Sequence, residues 1–270
     1  MTSAKIKSIL TYIFLILVSI VSVFPLFWMV VAATNQSVDV IGGKLTPGTR
    51  LLENYNNLIA NQKLWTAFWN SCRYTILITL AALLVSSLAG YAFIIYKDKV
   101  KDVVYKVIIC TMMIPFVALM IPLFQMYSKA GLLNTAVGFM LPSLATPLLI
   151  MMFRTGAMAF PLDMIEAARI DGLSEFQIFY KMFLPTMKST YAAAAVVTFM
   201  NAWNNYLWAK VIMTDDTTQT MPMLISNLIS GYVTDYGMLM LGVLITTLPT
   251  AVVFFALQRN FVEGLTGSFR

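Results

Sequence analysis

The chain has 270 residues, of which 59% are hydrophobic and only 11% charged, with a formal charge of +6 and a mean hydropathy of +0.79. A soluble globular domain carries roughly 25% charged residues. This composition therefore excludes a freely soluble enzyme or a nucleic-acid binder and points to an all-α integral membrane protein. There is no His, and Cys72 and Cys110 stand far apart, which excludes a disulfide framework and a Cys/His metal site.

Six uncharged stretches reach the roughly 20 residues that a bilayer-spanning helix needs. They are 9–33, 74–96, 107–128, 132–153, 189–209 and 238–258. The first follows Lys5 and Lys7. It is longer than the roughly 7–15 apolar residues of a signal-peptide core, so it reads as an uncleaved first helix. Asn134 and Pro142 dilute the fourth stretch, and 221–237, with Asp235, reads as a re-entrant or interfacial piece. With the N-terminus inside, twelve of the 18 Lys and Arg fall on that side: Lys5, Lys7, Lys97, Lys99, Lys101, Lys106, Arg154, Arg169, Lys181, Lys188, Arg259 and Arg270. That excess places both termini in the cytoplasm. Residues 1–270 then form one transmembrane domain.

Between the fourth and fifth stretches lies a cytoplasmic segment, 160–188, that contains "EAARIDGLSEFQIFYKMFLP". It is too polar to span, and it reads as a helix–turn–helix knob. Pro161 suits a first helical turn, and Gly172 suits a left-handed helix end. Ser174 and Gln177 form a capping box. Phe176, Phe179, Tyr180 and Phe183 have the spacing of one apolar helix face, and Pro185 is expected to stop the second helix. From Arg154 to Lys188 the charges balance, so this is not a polybasic lipid anchor. Ala167 and Ala168 beside Glu166 offer a surface that another protein can approach closely. The alternative is an ordinary loop helix.

The fifth stretch carries "NAWNNYLW". Asn201, Asn204 and Asn205 are spaced for one helix face, interleaved with Trp203, Tyr206 and Trp208. Amides match hydroxyls and aromatic rings cover sugar C–H faces, which suits a neutral polyhydroxyl solute. The same residues also suit helix–helix glue or an interfacial belt. Gln125 and Tyr127 are further candidates on the third stretch. All six stretches lack ionisable residues, which argues against a proton-coupled secondary transporter. Pro115, Pro122, Pro142 and Pro147 read as plain kinks; a cation site built from carbonyls at those breaks is the rival arrangement. "GGKLT" at 42–46 fails as a phosphate loop, because Leu45 replaces the hydroxyl and no strand precedes it.

Glu166, Ala167, Ala168 and Gly172, followed at a fixed gap by Leu184 and Pro185, resemble the EAA motif of binding-protein-dependent ABC importer permeases. Met182 stands where that family usually has Ile. "LLENYNNL", "IPLFQMYSKAGLLNT", "AWNNYLW" and "FVEGLT" are similar to the maltose-permease-like, carbohydrate-uptake branch, so the resemblance runs nearly the full length. It implies a type I permease of six transmembrane helices in a bacterial cytoplasmic membrane. Glu166, Ala167, Ala168, Asp171, Gly172, Leu184 and Pro185 would couple it to a cytoplasmic ATPase. The implied partners are a second homologous permease subunit, two ATPase subunits and an extracytoplasmic sugar-binding protein. ATP and Mg would be bound by the ATPase, with no cofactor or metal in this chain. The implied tail contact at 261–270 would be a second meeting point with the ATPase pair. A permease for a non-sugar solute, a secondary transporter and an assembly subunit without solute contact are the alternatives.

Overall fold

The computed structural model describes residues 3–231 and 233–266, with side chains for residue 5, 7–231 and 233–258. The described residues are helical and contain no strand. In chain order the helices are α1 (Ser3–Ala33), α2 (Ser37–Ile41), α3 (Leu51–Asn61), α4 (Leu64–Ile95), α5 (Lys99–Cys110), α6 (Phe116–Lys129), α7 (Ala136–Met140) and α8 (Pro147–Ala157). They continue as α9 (Leu162–Ile170), α10 (Glu175–Ile178), a π-helical turn (Phe179–Phe183), α11 (Leu184–Thr186), α12 (Lys188–Trp203), α13 (Tyr206–Ile212), α14 (Met221–Ile229) and α15 (Tyr236–Thr266). The chain packs as two compact units, Met1–Leu64 with Leu224–Leu248, and Trp65–Met223 with Pro249–Arg270.

Among the described residues, three helices are continuous, long and apolar enough to cross a membrane: Lys7–Ala33, Leu64–Ile95 and Tyr236–Gln258. The other stretches are interrupted. Lys99–Met113 meets Phe116–Lys129 at a 102° bend, and Ala136–Ser143 meets Pro147–Ala157 at 49°. Each bend falls just before a proline that begins or caps a helix, Pro115 or Pro147. The residue preceding a proline is pushed out of the α region, and Ile114 is accordingly extended, at φ −85° and ψ 116°. The expected single helix over 189–209 is split into α12 and α13 without any proline. Asn204 ends α12, and the Asn205 side chain accepts from the Trp208 amide to cap α13. Asparagine side chains compete with the helix for backbone partners, and here that competition sets the break. α14 has nine residues and is too short to cross.

In the first unit, the hydroxyls of Thr11, Ser19 and Ser22 on α1 donate to carbonyls four residues back. These three hydroxyls are thereby satisfied within the helix in an apolar surrounding. The C-terminus of α1 is closed by buried Asn54, which donates to the carbonyls of Ala33 and Asn35, both at 2.9 Å. The Ala33 carbonyl is the last of the helix, where intrahelical partners run out, and Asn35 lies just beyond it.

In the second unit, the buried residues of α4 include the small Ala67, Ser71, Thr75, Ala82 and Ser86 beside Tyr74, Ile78 and Tyr91. Small residues let membrane helices approach closely. At Gly90, the glycine of α4, an added Cβ would lie 2.6 Å from the Phe153 Cβ on α8. A second tie joins two loops. Asn134, at φ +57°, accepts through its side chain from the amides of Thr214 (2.7 Å) and Asp215 (3.0 Å).

α15 is helical to Thr266. The tail contact expected at 261–270 lies outside the described residues, in its side chains throughout and in its backbone from 267.

Candidate functional site

Two places concentrate polar groups in the second unit. The first is the knob, 160–188. Leu162–Ile170 forms its first helix and Pro161 is its N-cap. Gly172 turns the chain at φ +80°, where nothing lies within 4 Å of an added Cβ. The constraint is thus conformational and not steric crowding. The Ser174–Gln177 capping box is present in both directions.

The expected apolar face of the second helix is divided. Phe179 and Phe183 are buried at 4% and 0% exposure, whereas Phe176 and Tyr180 stand out at 73% and 62%. A π-helical turn follows at Phe179–Phe183 and changes the angular step between residues there. Pro185 does not stop the helix as expected. It lies at the start of α11, and the chain deviates only at Met187, with φ −91° and ψ 19°, before α12. A proline clashes with the carbonyl four residues earlier. That residue is Lys181, inside the π turn, where the wider spiral makes room.

Buried Ile165, Ala168, Ile178, Phe179, Phe183 and Met187 seat the knob in a core that also holds Tyr91 of α4 and Phe153 of α8. Glu166 and Ala167 are exposed, but Ala168 is in this core. The close-approach surface is therefore narrower than the Ala167–Ala168 pair. Asp171 and Gly172 are exposed, Leu184 is half-buried, and Pro185 is exposed. Arg169 donates through Nε to Glu175 Oε1 at 2.6 Å. The Arg169 bond, with a second from Tyr96, holds the Glu175 carboxyl below the usual carboxylate range. Composition and motif spacing did not flag Tyr91, Tyr96 or Glu175. The signal available was the aromatic pair at the charged end of a long apolar run.

The second place is a cavity of about 110 Å³ between the two helix breaks. Asn201 and Asn205 line it, with Thr198, Ser143, Thr146 and apolar Ile78 of α4 in the wall. The wall carries amides and hydroxyls and no charged side chain. The remaining predicted residues are elsewhere. Asn204 donates back to the Met200 carbonyl at 2.9 Å. Trp203 is buried, stacked on Phe199 at 5.9 Å and edge-on to Phe68 at 6.2 Å. Tyr206 packs half-buried against a core that contains buried Trp208. Gln125 is exposed on α6 and does not line the cavity. Ser143 and Thr146 were missed, although Pro142 and Pro147 marked the break that brings them there.

Residues 82–267 match the family described as binding-protein-dependent transport system inner membrane component. The chain is 45% identical over 266 residues to the lactose transport system permease protein LacG of Rhizobium radiobacter, covering 98% of this chain and 97% of that one. It is 35% identical over 254 residues to the arabinooligosaccharides transport system permease protein AraQ of Halalkalibacterium halodurans, covering 92% and 91%. It is 32% identical over 271 residues to the sn-glycerol-3-phosphate transport system permease protein UgpE of Escherichia coli O1:K1, covering 97% and 96%. Its fold matches a chain from the crystal structure of a bacterial ABC transporter involved in the import of the acidic polysaccharide alginate. That match has a TM-score of 0.85 at 20% identity and covers 97% of this chain and 98% of that one.

The knob, the apolar helices and these likenesses agree. The protein is a multi-pass membrane component of an ABC importer, working with a binding protein and with an ATPase that is a separate subunit, and it is not itself catalytic. The chain belongs to the binding-protein-dependent transport system inner membrane components.

Proposed function

We propose that this chain is the permease subunit of an ATP-driven importer for a neutral sugar or oligosaccharide. The observation that carries this reading is the 45% identity, across 98% of the chain, to a lactose transport permease. The cavity supports it independently. Amides and hydroxyls suit sugar hydroxyls, and the absence of any cation in the wall disfavours an anionic solute such as glycerol phosphate. At about 110 Å³ the cavity is well below the roughly 300–1,000 Å³ that holds a whole ligand. It offers one edge of a path, which favours pairing with a second, related permease subunit. ATP and Mg belong to a pair of ATPase subunits, into which the Glu166–Gly172 turn docks. The apolar side chains exposed beside it, Ile170, Phe176 and Tyr180, cover the rest of that contact. The membrane is the bacterial cytoplasmic membrane, with both termini inside. Reporter fusions after Lys7 and after Arg270 are each expected to give the cytoplasmic signal, and an external C-terminus overturns this orientation.

The solute site is tested on Asn201→Ala and Asn205→Ala in the complete transporter. Each lost hydrogen bond is worth about 0.5–1.5 kcal/mol net, so apparent uptake affinity is expected to fall by up to about tenfold with complex yield unchanged. Asn204→Ala serves as the control, because its side chain bonds its own helix. If Asn201→Ala and Asn205→Ala lower complex yield and leave affinity alone, the cavity is helix packing and not a solute site. Uptake of lactose, arabino-oligosaccharides and glycerol phosphate, measured side by side in proteoliposomes, tests the solute class. Glycerol phosphate as the transported solute overturns it.

A further inference from the structure

α12 follows the knob in the chain, yet the connection is interrupted. The π turn and the departure at Met187 separate the two, and α12 itself ends at Asn204. α4 runs unbroken from Leu64 to Ile95. Near one end it carries Tyr91, against the knob, and further back Ile78, in the cavity wall. At a rise of about 1.5 Å per residue the two lie about 20 Å apart on one rod.

The knob holds α4 at several points. The Tyr91 ring is edge-on to Phe179 at 5.4 Å and to Phe183 at 5.0 Å. Its hydroxyl donates to Glu175 Oε2 at 3.3 Å. The other carboxylate oxygen accepts from Arg169 on α9. Tyr96, the residue after α4, packs edge-on to Tyr91 at 6.3 Å, and Arg169 lies 5.9 Å from the Tyr96 ring centroid. One carboxylate thus joins both helices of the knob to the end of α4. The absence of a side chain at Gly90 brings the α8 backbone against the same end.

We propose that displacement of the knob reaches the membrane cavity through α4, with Arg169 and Glu175 as positioning residues that clamp the knob to Tyr91 and Tyr96. This rests on the reading of 160–188 as the coupling segment. The ion pair is 40% and 43% exposed, and exposed pairs contribute little energy alone. Its weight lies in the geometry it imposes.

The test uses the complete transporter in proteoliposomes, with solute moved per ATP hydrolysed as the first measurement and ATPase copurification as the second. Glu175→Arg and Arg169→Glu alone are expected to lower solute per ATP by about threefold or more, a scale set by an exposed pair, with copurification unchanged. The exchanged double variant is expected to recover most of the loss. Wild-type coupling in both single variants overturns the proposal, and so does a double variant no better than either. The route is tested by softening each helix with one glycine, which costs about 1 kcal/mol of helix propensity. Leu84→Gly, on the exposed side of α4, is expected to uncouple, and Ala195→Gly in α12 is not. The reverse result assigns transmission to α12 and overturns the proposal. Glu166→Lys reports separately on the underlying reading, because it removes ATPase association whichever helix carries the motion.

Discussion

Gly90→Val is expected to be strongly damaging to the second unit. An added Cβ there lies 2.6 Å from the Phe153 Cβ, 2.8 Å from the Arg154 amide nitrogen and 2.8 Å from the Phe153 carbonyl carbon. Two of these three atoms are backbone. No rotamer change can move them, so α4 and α8 must separate. Forcing extra methyl groups into a packed site costs about 1–3 kcal/mol even where side chains can adjust. Here the expected loss is at least about 3 kcal/mol, because the backbone itself must shift. The consequence is a lowered melting temperature of the purified complex and poor yield. Gly90→Ala is expected to act in the same direction with a smaller loss. Gly231→Ala is the control, since an added Cβ there meets nothing closer than 3.8 Å. A Gly90→Val protein that melts with the wild type would show that the helices part at no cost.

The second large effect falls on the knob. Glu166 is exposed on α9, beside buried Ile165 and Ala168. Reversing its charge leaves the core untouched and changes only what the knob offers to a partner. Like-charge juxtaposition at an interface costs several kcal/mol, so Glu166→Lys is expected to weaken ATPase association on the order of 100-fold or more. Gly172→Val acts differently. The residue holds φ +80° in open space, and an L side chain in that conformation costs roughly 1–2 kcal/mol. The turn is expected to reshape, and α9 to present itself at a new angle. Both variants should insert into the membrane, which separates the effect from misfolding. Wild-type uptake and ATPase copurification in both would remove the coupling role of this turn.

Much of this architecture was legible in the residue order. Long uncharged runs must be helical in a membrane, because a bilayer offers no partner for an open backbone. The knob was legible for a local reason. Gly172, Ser174 and Gln177 act on their own neighbours, and the capping box and left-handed turn formed where they were expected. The motif from Glu166 to Pro185 was equally readable, because it is a pattern of spacing.

Other features depended on what packs against what. Helical spacing put Phe176 and Tyr180 on one face with Phe179 and Phe183. Packing divided them: Phe179 and Phe183 are buried in the core that holds Tyr91, and Phe176 and Tyr180 are left exposed. Spacing likewise grouped Asn201 with Asn204 and Asn205. The break after Trp203 turned Asn204 back onto its own helix and left Asn201 and Asn205 on the cavity. Ser143 and Thr146 joined them from more than fifty positions away in the chain. No local signal carries such a meeting, since it follows from how two broken helices face each other. The same holds for Trp203, an aromatic fit for a sugar face that the fold spends on Phe68 and Phe199. Sequence alone determined that the chain is a membrane-embedded helical permease with a capped helix–turn–helix segment outside the apolar stretches. Tertiary packing decided which polar groups share a cavity and which helix the knob grips, because those depend on contacts between residues that the chain order keeps far apart.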